Sequence, residues 1–284
     1  MTSPWPTTAP TAAERASFAD AAPRAFWLDD LGAPEPQPAL TGTTAADLCI
    51  VGGGFTGLWA ALQAKADDPA RDVVVLEAET AGFGASGRNG GFVVSSLTHG
   101  IANGLSRFAD EMPALERLGR ENLEGIAADV ERHGIDCELE LTGEMTVALE
   151  PHEVEWMEEE AELLRHFGHD VELFVDPDAM QAEVASPLYR AGVWDKDAGG
   201  LVHPGKLALG LRDAAVRAGV RVFEHTPATS LEDSADSVEV LTPSVLAGTG
   251  SREKSDWHAD LKFPEFRRPD LADFAGRAAR GEDI

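Results

Sequence analysis

The sequence predicts an α/β fold built on a short parallel sheet, and two stretches of the chain support this. In the first stretch, residues 46–78, a short apolar run is followed by glycines, a helical pattern and the valine-rich run Val73–Leu76. Such runs are typical of strands buried on both faces, and a helix between them makes a βαβ unit. In the second stretch, a helical pattern from Leu207 ends at Gly219, and the apolar run 220–223 predicts another strand.

Residues 101–200 lie between these stretches and are predicted to form an inserted α+β segment. Apolar residues recur at helical spacing over residues 101–133, and Gly134 suits the C-terminal cap of that helix. Strands are predicted over 138–141 and 145–149, followed by a charged helix over 151–167.

Composition excludes several classes of protein. The chain has 284 residues and a formal charge of −27, and this charge repels phosphate backbones and argues against a nucleic-acid partner. It would favour a cationic substrate only weakly, since an acidic surface mainly reports solubility.

No apolar run approaches the roughly 20 residues of a membrane span. Cys49 and Cys137, the two cysteines, offer neither a disulfide framework nor metal-ligand spacing. The start of the chain lacks a secretory signal, so we expect a disordered leader over residues 1–24 and a cytoplasmic protein.

A G-x-G-x-x-G motif follows the first predicted strand. Gly52 permits the tight turn, Gly54 lets the backbone approach a pyrophosphate, and Gly57 lets the helix pack on the sheet. The helix N-terminus then offers N–H groups and a positive dipole end. Glu77 ends the second strand, where a carboxylate would accept hydrogen bonds from an adenosine ribose. These residues predict a dinucleotide site but do not separate FAD from NAD.

The next glycine-rich segment favours FAD. Its residues 84–91, Gly-Ala-Ser-Gly-Arg-Asn-Gly-Gly, resemble a stretch of the D-amino-acid oxidase superfamily, most closely its γ-glutamylputrescine oxidoreductase-like members. In that family the loop wraps the FAD pyrophosphate and runs beneath the flavin. The resemblance therefore implies a Rossmann-like, glutathione-reductase-type FAD-binding domain. The physics agrees, because Ser86 can donate a hydrogen bond and Arg88 supplies positive charge.

The likeness spans roughly residues 25–241 and includes the lead-in 26–30 and the segments 96–100, 201–207 and 224–228. It implies that a backbone group at Ala228 contacts the adenine. The predicted FAD-binding residues are Gly52, Gly54, Phe55, Thr56, Gly57, Glu77, Ala78, Ser86, Arg88, Asn89, Gly90, Gly91 and Ala228.

The resemblance also implies a domain plan. Residues 25–100 and 201–242 would form a discontinuous FAD-binding domain, and residues 101–200 part of a substrate domain. Residues 243–284 match nothing in the family, so we expect a divergent tail and a fold incomplete at its C-terminus. Within this tail, residues 269–281 have a helical pattern.

The implied reaction is oxidation of the C–N bond of a small amine or amino acid, with hydride passing to flavin N5 and an imine as product. No residue is singled out as catalytic. Two alternatives remain open: a non-catalytic FAD-binding remnant or fragment, and an NAD-dependent dehydrogenase. The substrate, the electron acceptor, covalent attachment of FAD and the oligomeric state are not determined by the sequence.

Several histidines are candidates for site residues. His166 and His169 with Asp170 have spacing that could suggest a metal site, but a solvated helix end is the preferred interpretation, and we predict no metal. His203 is interpreted as a histidine hydrogen-bonded at a strand-to-helix junction.

Overall fold

The computed structural model describes residues 9, 11–21, 24–32, 34–233, 237–242 and 253–255. The helices are α1 Ala12–Ala16, α2 Phe26–Asp30, α3 Phe55–Asp67, α4 Ile101–Phe108, α5 Met112–His133, α6 Val154–His166, α7 Pro177–Glu183 and α8 Pro204–Arg217. The strands are β1 Leu48–Val51, β2 Val73–Leu76, β3 Phe92–Val94, β4 Glu144–Ala148, β5 Val171–Phe174, β6 Ala191–Asp195, β7 Gly199–Leu201, β8 Arg221–Phe223, β9 Ser230–Asp233, β10 Val238–Leu241 and β11 Glu253–Ser255.

A parallel sheet of order β1-β2-β8 forms the centre of the fold. Because side chains alternate along a strand, Val73 and Val75 point to one face and pack against α3 and α8, while Val74 and Leu76 point to the other. That second face is covered by Leu40 and Val240. The predicted βαβ unit and the later strand are thus confirmed, and both faces of the sheet are buried.

An ion pair fixes the edge of this sheet. The guanidinium of Arg221 at the start of β8 donates to both carboxylate oxygens of Asp72, at 3.0 and 2.7 Å. When a guanidinium and a carboxylate are joined by two parallel hydrogen bonds, the bonds fix their relative orientation in addition to the attraction of their opposite charges. The pair therefore holds β8 in register beside β2, although the two residues are 149 positions apart.

The inserted segment has its own antiparallel sheet, of order β4-β6-β5. Met157 and Ala161 of α6 pack on it against Ala148, Ala191 and Val193. The antiparallel pair β3–β7 joins this segment to the parallel sheet, because β3 follows the glycine-rich loop and β7 precedes α8.

Some predicted elements differ in the structure. The single helix predicted over 101–133 is two helices, α4 and α5, and α5 ends at Gly134, which has φ of 62°. The predicted strand 138–141 is wrong, because these residues contribute only one bridge, between Glu140 and Leu201. The predicted charged helix is confirmed as a 3₁₀ turn over Pro151–Glu153 followed by α6.

The two ends of the chain are described only in part. Within the expected leader, α1 is a short exposed helix that begins with a capping box between Thr11 and Glu14. In the expected tail, β11 pairs antiparallel with β10, and the predicted helix over 269–281 lies outside the described residues. The domain boundaries stay predictions. No helix in the described ranges is both long and apolar enough to cross a bilayer.

Candidate cofactor site and adjoining cavity

The turn between β1 and α3 has the geometry that the glycine motif requires. Gly52 has φ of +110°, which L side chains rarely adopt, and open space lies where its Cβ would be. A Cβ on Gly57 would overlap the carbonyl oxygen of Gly52, so the first turn of α3 touches the turn that leaves β1. The N-terminus of α3, whose first N–H groups lack acceptors within the helix, is thereby presented beside the glycines. Thr56 is exposed in this first helical turn.

The second glycine-rich segment, residues 84–91, lies against the same helix end. The Ser86 hydroxyl accepts a hydrogen bond from the backbone N–H of Phe55 at 2.9 Å. Just before the segment, the Gly82 N–H donates to the carbonyl oxygen of Gly53 at 3.0 Å. A Cβ on Gly54 would lie 2.9 Å from the Ser86 oxygen. Two glycine segments that are separate in the chain therefore meet at one helix N-terminus.

The carboxylate of Glu77, at the end of β2, accepts two backbone hydrogen bonds beside the glycine turn. One carboxylate oxygen accepts from the Gly53 N–H at 2.7 Å, and the other accepts from the Glu79 N–H at 2.9 Å. A carboxylate has about four acceptor positions, so both oxygens keep capacity for ribose hydroxyls. Ala78, next in the chain, is exposed.

Arg88 and Asn89 fix the shape of the loop. The Arg88 guanidinium donates to the carbonyl oxygen of Phe83 at 2.7 Å and lies over its ring. The Asn89 amide donates to the carbonyl oxygen of Ser86 and accepts from the Gly91 N–H. These contacts assign both side chains to loop structure, and a direct contact of Arg88 with pyrophosphate stays a prediction.

The last two glycines of the loop lead into β3. A Cβ on Gly91, which has φ of +80°, would lie 2.5 Å from the carbonyl oxygen of Val202, and one on Gly90 would lie 3.1 Å from the Phe92 ring. At Gly91 only glycine combines the backbone conformation with this close approach.

The segment carrying Ala228 runs along the end of β2. The Thr226 N–H donates to the carbonyl oxygen of Glu77 at 2.7 Å, and the His225 N–H donates to that of Glu79. Ala228 itself packs against the cluster around Leu40. The structure thus brings this segment to the Glu77 end of the sheet, and the adenine contact at Ala228 stays a prediction.

The residues present fit FAD. A dinucleotide needs a helix N-terminus without obstructing side chains, and open space lies at the Cβ positions of both Gly52 and Gly84. It also needs an acceptor for the ribose, and the Glu77 carboxylate keeps acceptor positions at the end of β2, although its ribose contact stays a prediction.

A cavity of about 910 Å³ adjoins β3, directly after the glycine loop. Its aromatic side chains are Phe92 and Trp156. Five carboxylates line it: Glu116, Glu144, Glu159, Glu160 and Asp195. None of the described residues in its lining is a lysine or an arginine. Burial raises the pKa of Glu160, and the charges of Glu144 and Asp195 raise it further. Because five carboxylates line the cavity and the described lining has no lysine or arginine, its composition favours a cationic ligand.

His169 belongs to this wall, and here the interpretation as a solvated helix end is wrong. Its Nδ1 lies 2.8 Å from Oδ2 of Asp195 and its Nε2 lies 2.9 Å from Oε2 of Glu116. Its side chain is 4% exposed. The hydrogen bonds to Asp195 and Glu116 raise the pKa of His169, against the opposing effect of burial. His166 and Asp170 are exposed. Across the described part of the chain, no group of histidines, cysteines and acids is arranged to hold a metal.

His203 lies where the sequence places it, at the junction of β7 and α8. It is the N-cap of α8, and its Nδ1 accepts from the Lys206 N–H at 3.2 Å. The side chain is buried, with 6% exposed. The interpretation as a junction histidine is confirmed.

Comparison with known proteins identifies the family to which the chain belongs. A model described as "FAD dependent oxidoreductase" matches residues 47–257. γ-Glutamylputrescine oxidoreductase of Escherichia coli K12 is 35% identical over 206 residues, covering 72% of this chain and 47% of that protein. A probable oxidoreductase OrdL of Haemophilus influenzae is 32% identical over 221 residues, covering 77% and 50%. The chain thus spans about half the length of the curated relatives it matches.

Solved structures show the same fold. Glycine oxidase from Bacillus cereus has a TM-score of 0.56 at 18% identity, covering 74% of this chain and 53% of that one. L-Amino acid deaminase from Proteus myxofaciens has a TM-score of 0.59 at 16% identity, covering 78% and 46%. At these identities the likeness concerns the fold alone.

Proposed function

The chain belongs to the family of FAD-dependent oxidoreductases, and we propose that it takes part in oxidising the C–N bond of a small cationic amine. One observation carries the proposal: the glycine loop that meets the N-terminus of α3 continues directly into β3, which lines a cavity walled by carboxylates. The cofactor site and the ligand cavity are therefore connected through a single strand.

Gly52, Gly54, Gly57, Glu77 and Ser86 are the residues that would hold the cofactor. When bound, FAD supplies the acceptor for the hydride that leaves the carbon next to the nitrogen. The protein's own residues would bind and orient the amine and manage its proton.

The cavity favours an amine over an amino acid. An amino acid brings a carboxylate, which would need a cationic partner. The described lining residues include no lysine or arginine, and both ring nitrogens of the lining residue His169 are already paired with Asp195 and Glu116. An ammonium group would instead be attracted by the carboxylates and by the aromatic rings of Phe92 and Trp156. Glu160, whose pKa is raised, is suited to accept the proton that an ammonium must lose before oxidation.

Of the two alternative functions that the sequence left open, one is excluded and one remains a candidate. An NAD-dependent dehydrogenase is not retained, because the matching family is FAD-dependent. A chain that binds FAD without turnover remains the second candidate, because one face of the β3–β7 pair exposes Phe92 at 75%, Val94 at 41% and Leu201 at 48%. Phe92 and Val94 of this face also line the cavity. Cytoplasmic location stays a prediction.

The visible absorption spectrum of the purified chain with added FAD tests the proposal. We expect flavin bands near roughly 375 and 450 nm that bleach under anaerobic conditions with a diamine but not with glycine or another amino acid. Bleaching by amino acids alone would overturn the choice of substrate. Bands that no amine bleaches would favour the second candidate, and absence of bands would overturn the FAD site in this chain.

A further inference from the structure

The short helix α2 lies across the glycine loop, and two hydrogen bonds join them. The indole Nε1 of Trp27 donates to the carbonyl oxygen of Asn89 at 2.8 Å. In the opposite direction, the guanidinium of Arg88 donates to the carbonyl oxygen of Arg24, just before α2, at 3.2 Å. The loop residues that would line the cofactor are thus tied to a segment that precedes β1.

On its other side, α2 rests on the N-terminus of α8. A Cβ on Gly205 would lie 2.7 Å from the carbonyl oxygen of Trp27, so glycine is needed for this approach. The Trp27 ring meets the His203 ring edge-on, with 4.9 Å between centroids. Helix α2 is therefore held between the glycine loop and α8.

A second contact between α2 and the start of α8 involves His203 and Asp30. Since Nδ1 of His203 accepts from the Lys206 N–H, its proton is on Nε2. This buried nitrogen has no hydrogen-bond partner among the described residues, and Oδ2 of Asp30 lies 3.7 Å away. A buried donor without a partner costs free energy, and the Asp30 carboxylate on α2 is the group that reduces this cost.

We propose that α2, Phe26–Asp30, holds the glycine loop 84–91 in position, and we call this helix the clasp. Trp27 is the positioning residue, and the contact of Asp30 with His203 anchors the clasp to α8. Trp27 acts through the backbone of Asn89, so it sets the position of the loop that faces the N-terminus of α3. The inference depends on the cofactor site of the proposed function but not on the substrate.

Two variants of the full chain test the clasp. Trp27→Phe keeps a ring against His203 and removes the N–H that reaches Asn89. Phe26→Tyr is the control, because Phe26 is 68% exposed and its ring only borders that of Trp27. We expect Trp27→Phe to raise the Kd for FAD about two- to tenfold, as loss of one hydrogen bond implies, with no change in Phe26→Tyr.

A second readout needs no FAD. Trypsin cleaves after Arg88 in the loop and after Arg117 on α5, and both side chains are exposed. We expect Trp27→Phe to speed cleavage after Arg88 about two- to tenfold relative to Arg117 in the apoprotein. Equal acceleration of cleavage after Arg88 and after Arg117, with a lower urea midpoint, would show that Trp27 is a merely structural residue and would overturn the proposal. Identical behaviour of Trp27→Phe and Phe26→Tyr would overturn it as well. If the wild-type chain takes up no FAD, that result counts against the cofactor site, and cleavage after Arg88 still decides the clasp.

Discussion

The α-carbon of Gly57 lies so close to the carbonyl oxygen of Gly52 that an added Cβ would overlap that oxygen. The contact brings the start of α3 onto the turn that leaves β1. Any side chain at position 57 must push the helix away from the turn, and the helix N-terminus would move with it.

We therefore expect Gly57→Ala to lower the unfolding free energy by about 1–3 kcal/mol and to raise the Kd for FAD more than tenfold. Urea unfolding followed by circular dichroism and titration with FAD measure the two effects. The matched control is Gly125→Ala on α5, where no described atom outside the adjoining residues and the helix's own backbone lies within 4 Å of the added Cβ. That change should stabilise the protein by up to about 1 kcal/mol. Equal behaviour of the two variants would show that the close approach does not matter.

Glu77→Gln should weaken FAD binding about tenfold with little change in the fold. A glutamine has one side-chain oxygen, so it cannot accept from both Gly53 and Glu79 while also accepting from a ribose. The control is Glu79→Gln, because the Glu79 side chain is exposed and only its backbone takes part in the arrangement. Quenching of flavin fluorescence during titration gives both affinities, and equal values would contradict the role of Glu77.

The cluster of His169 with Asp195 and Glu116 predicts a pH-dependent stability. Its carboxylates raise the pKa of His169 in the folded state, so the stabilisation is fully present below the unfolded value of about 6.5. It should be lost as the pH rises through the raised folded value, when the imidazolium loses a proton between two carboxylates.

Urea unfolding of the wild type between pH 6 and pH 9 measures this loss. His169→Asn should remove the dependence and cost about 3 kcal/mol near pH 6, because two carboxylates stay buried without their cation. His166→Asn, which changes an exposed histidine on α6, should keep the wild-type profile. A His169→Asn protein with the wild-type profile would assign the pH dependence to other groups.

Glu160→Gln tests the charge of the cavity. We expect the KM for a diamine to rise about tenfold, because the variant removes one negative charge from a partly buried wall. Glu158→Gln is the control, since Glu158 lies on the same helix, is exposed and does not line the cavity. Should the chain bind amines without turnover, perturbation of the flavin spectrum gives the affinity in place of KM. Equal values in the two variants would argue against an electrostatic role.

The sequence was sufficient for features set by local patterns. The parallel strands and the turn at Gly52 follow from apolar runs and glycines that are close in the chain. Most of the inserted sheet could not be predicted from the sequence. Its central strand β6, Ala-Gly-Val-Trp-Asp, is buried on both faces at most positions, so apolar and polar residues do not alternate along it. The break between α4 and α5 has a signal in the sequence that the helical pattern obscures, because Pro113 lies in the first turn of α5, where proline is tolerated.

His169 was misjudged for a different reason. Its two partners are 53 and 26 residues away, on α5 and β6, and only the folded insert brings them to it. Spacing along the chain indicated an exposed helix end, and nothing local indicated burial between two carboxylates. The contact of Trp27 with Asn89, 62 residues away, could not be predicted for the same reason.

The pairing of β2 with β8 has a consequence for folding kinetics. Asp72 and Arg221 are 149 positions apart, so β8 joins the sheet only when a long loop closes, whereas β1 and β2 are separated by α3 alone. The entropy of closing so long a loop grows only slowly with its length, by about 0.6 kcal/mol per doubling. Lengthening the insert should therefore cost little stability, whereas contacts so distant in sequence slow the folding rate. Docking of β8, rather than formation of the βαβ unit, is the step that we expect to limit folding.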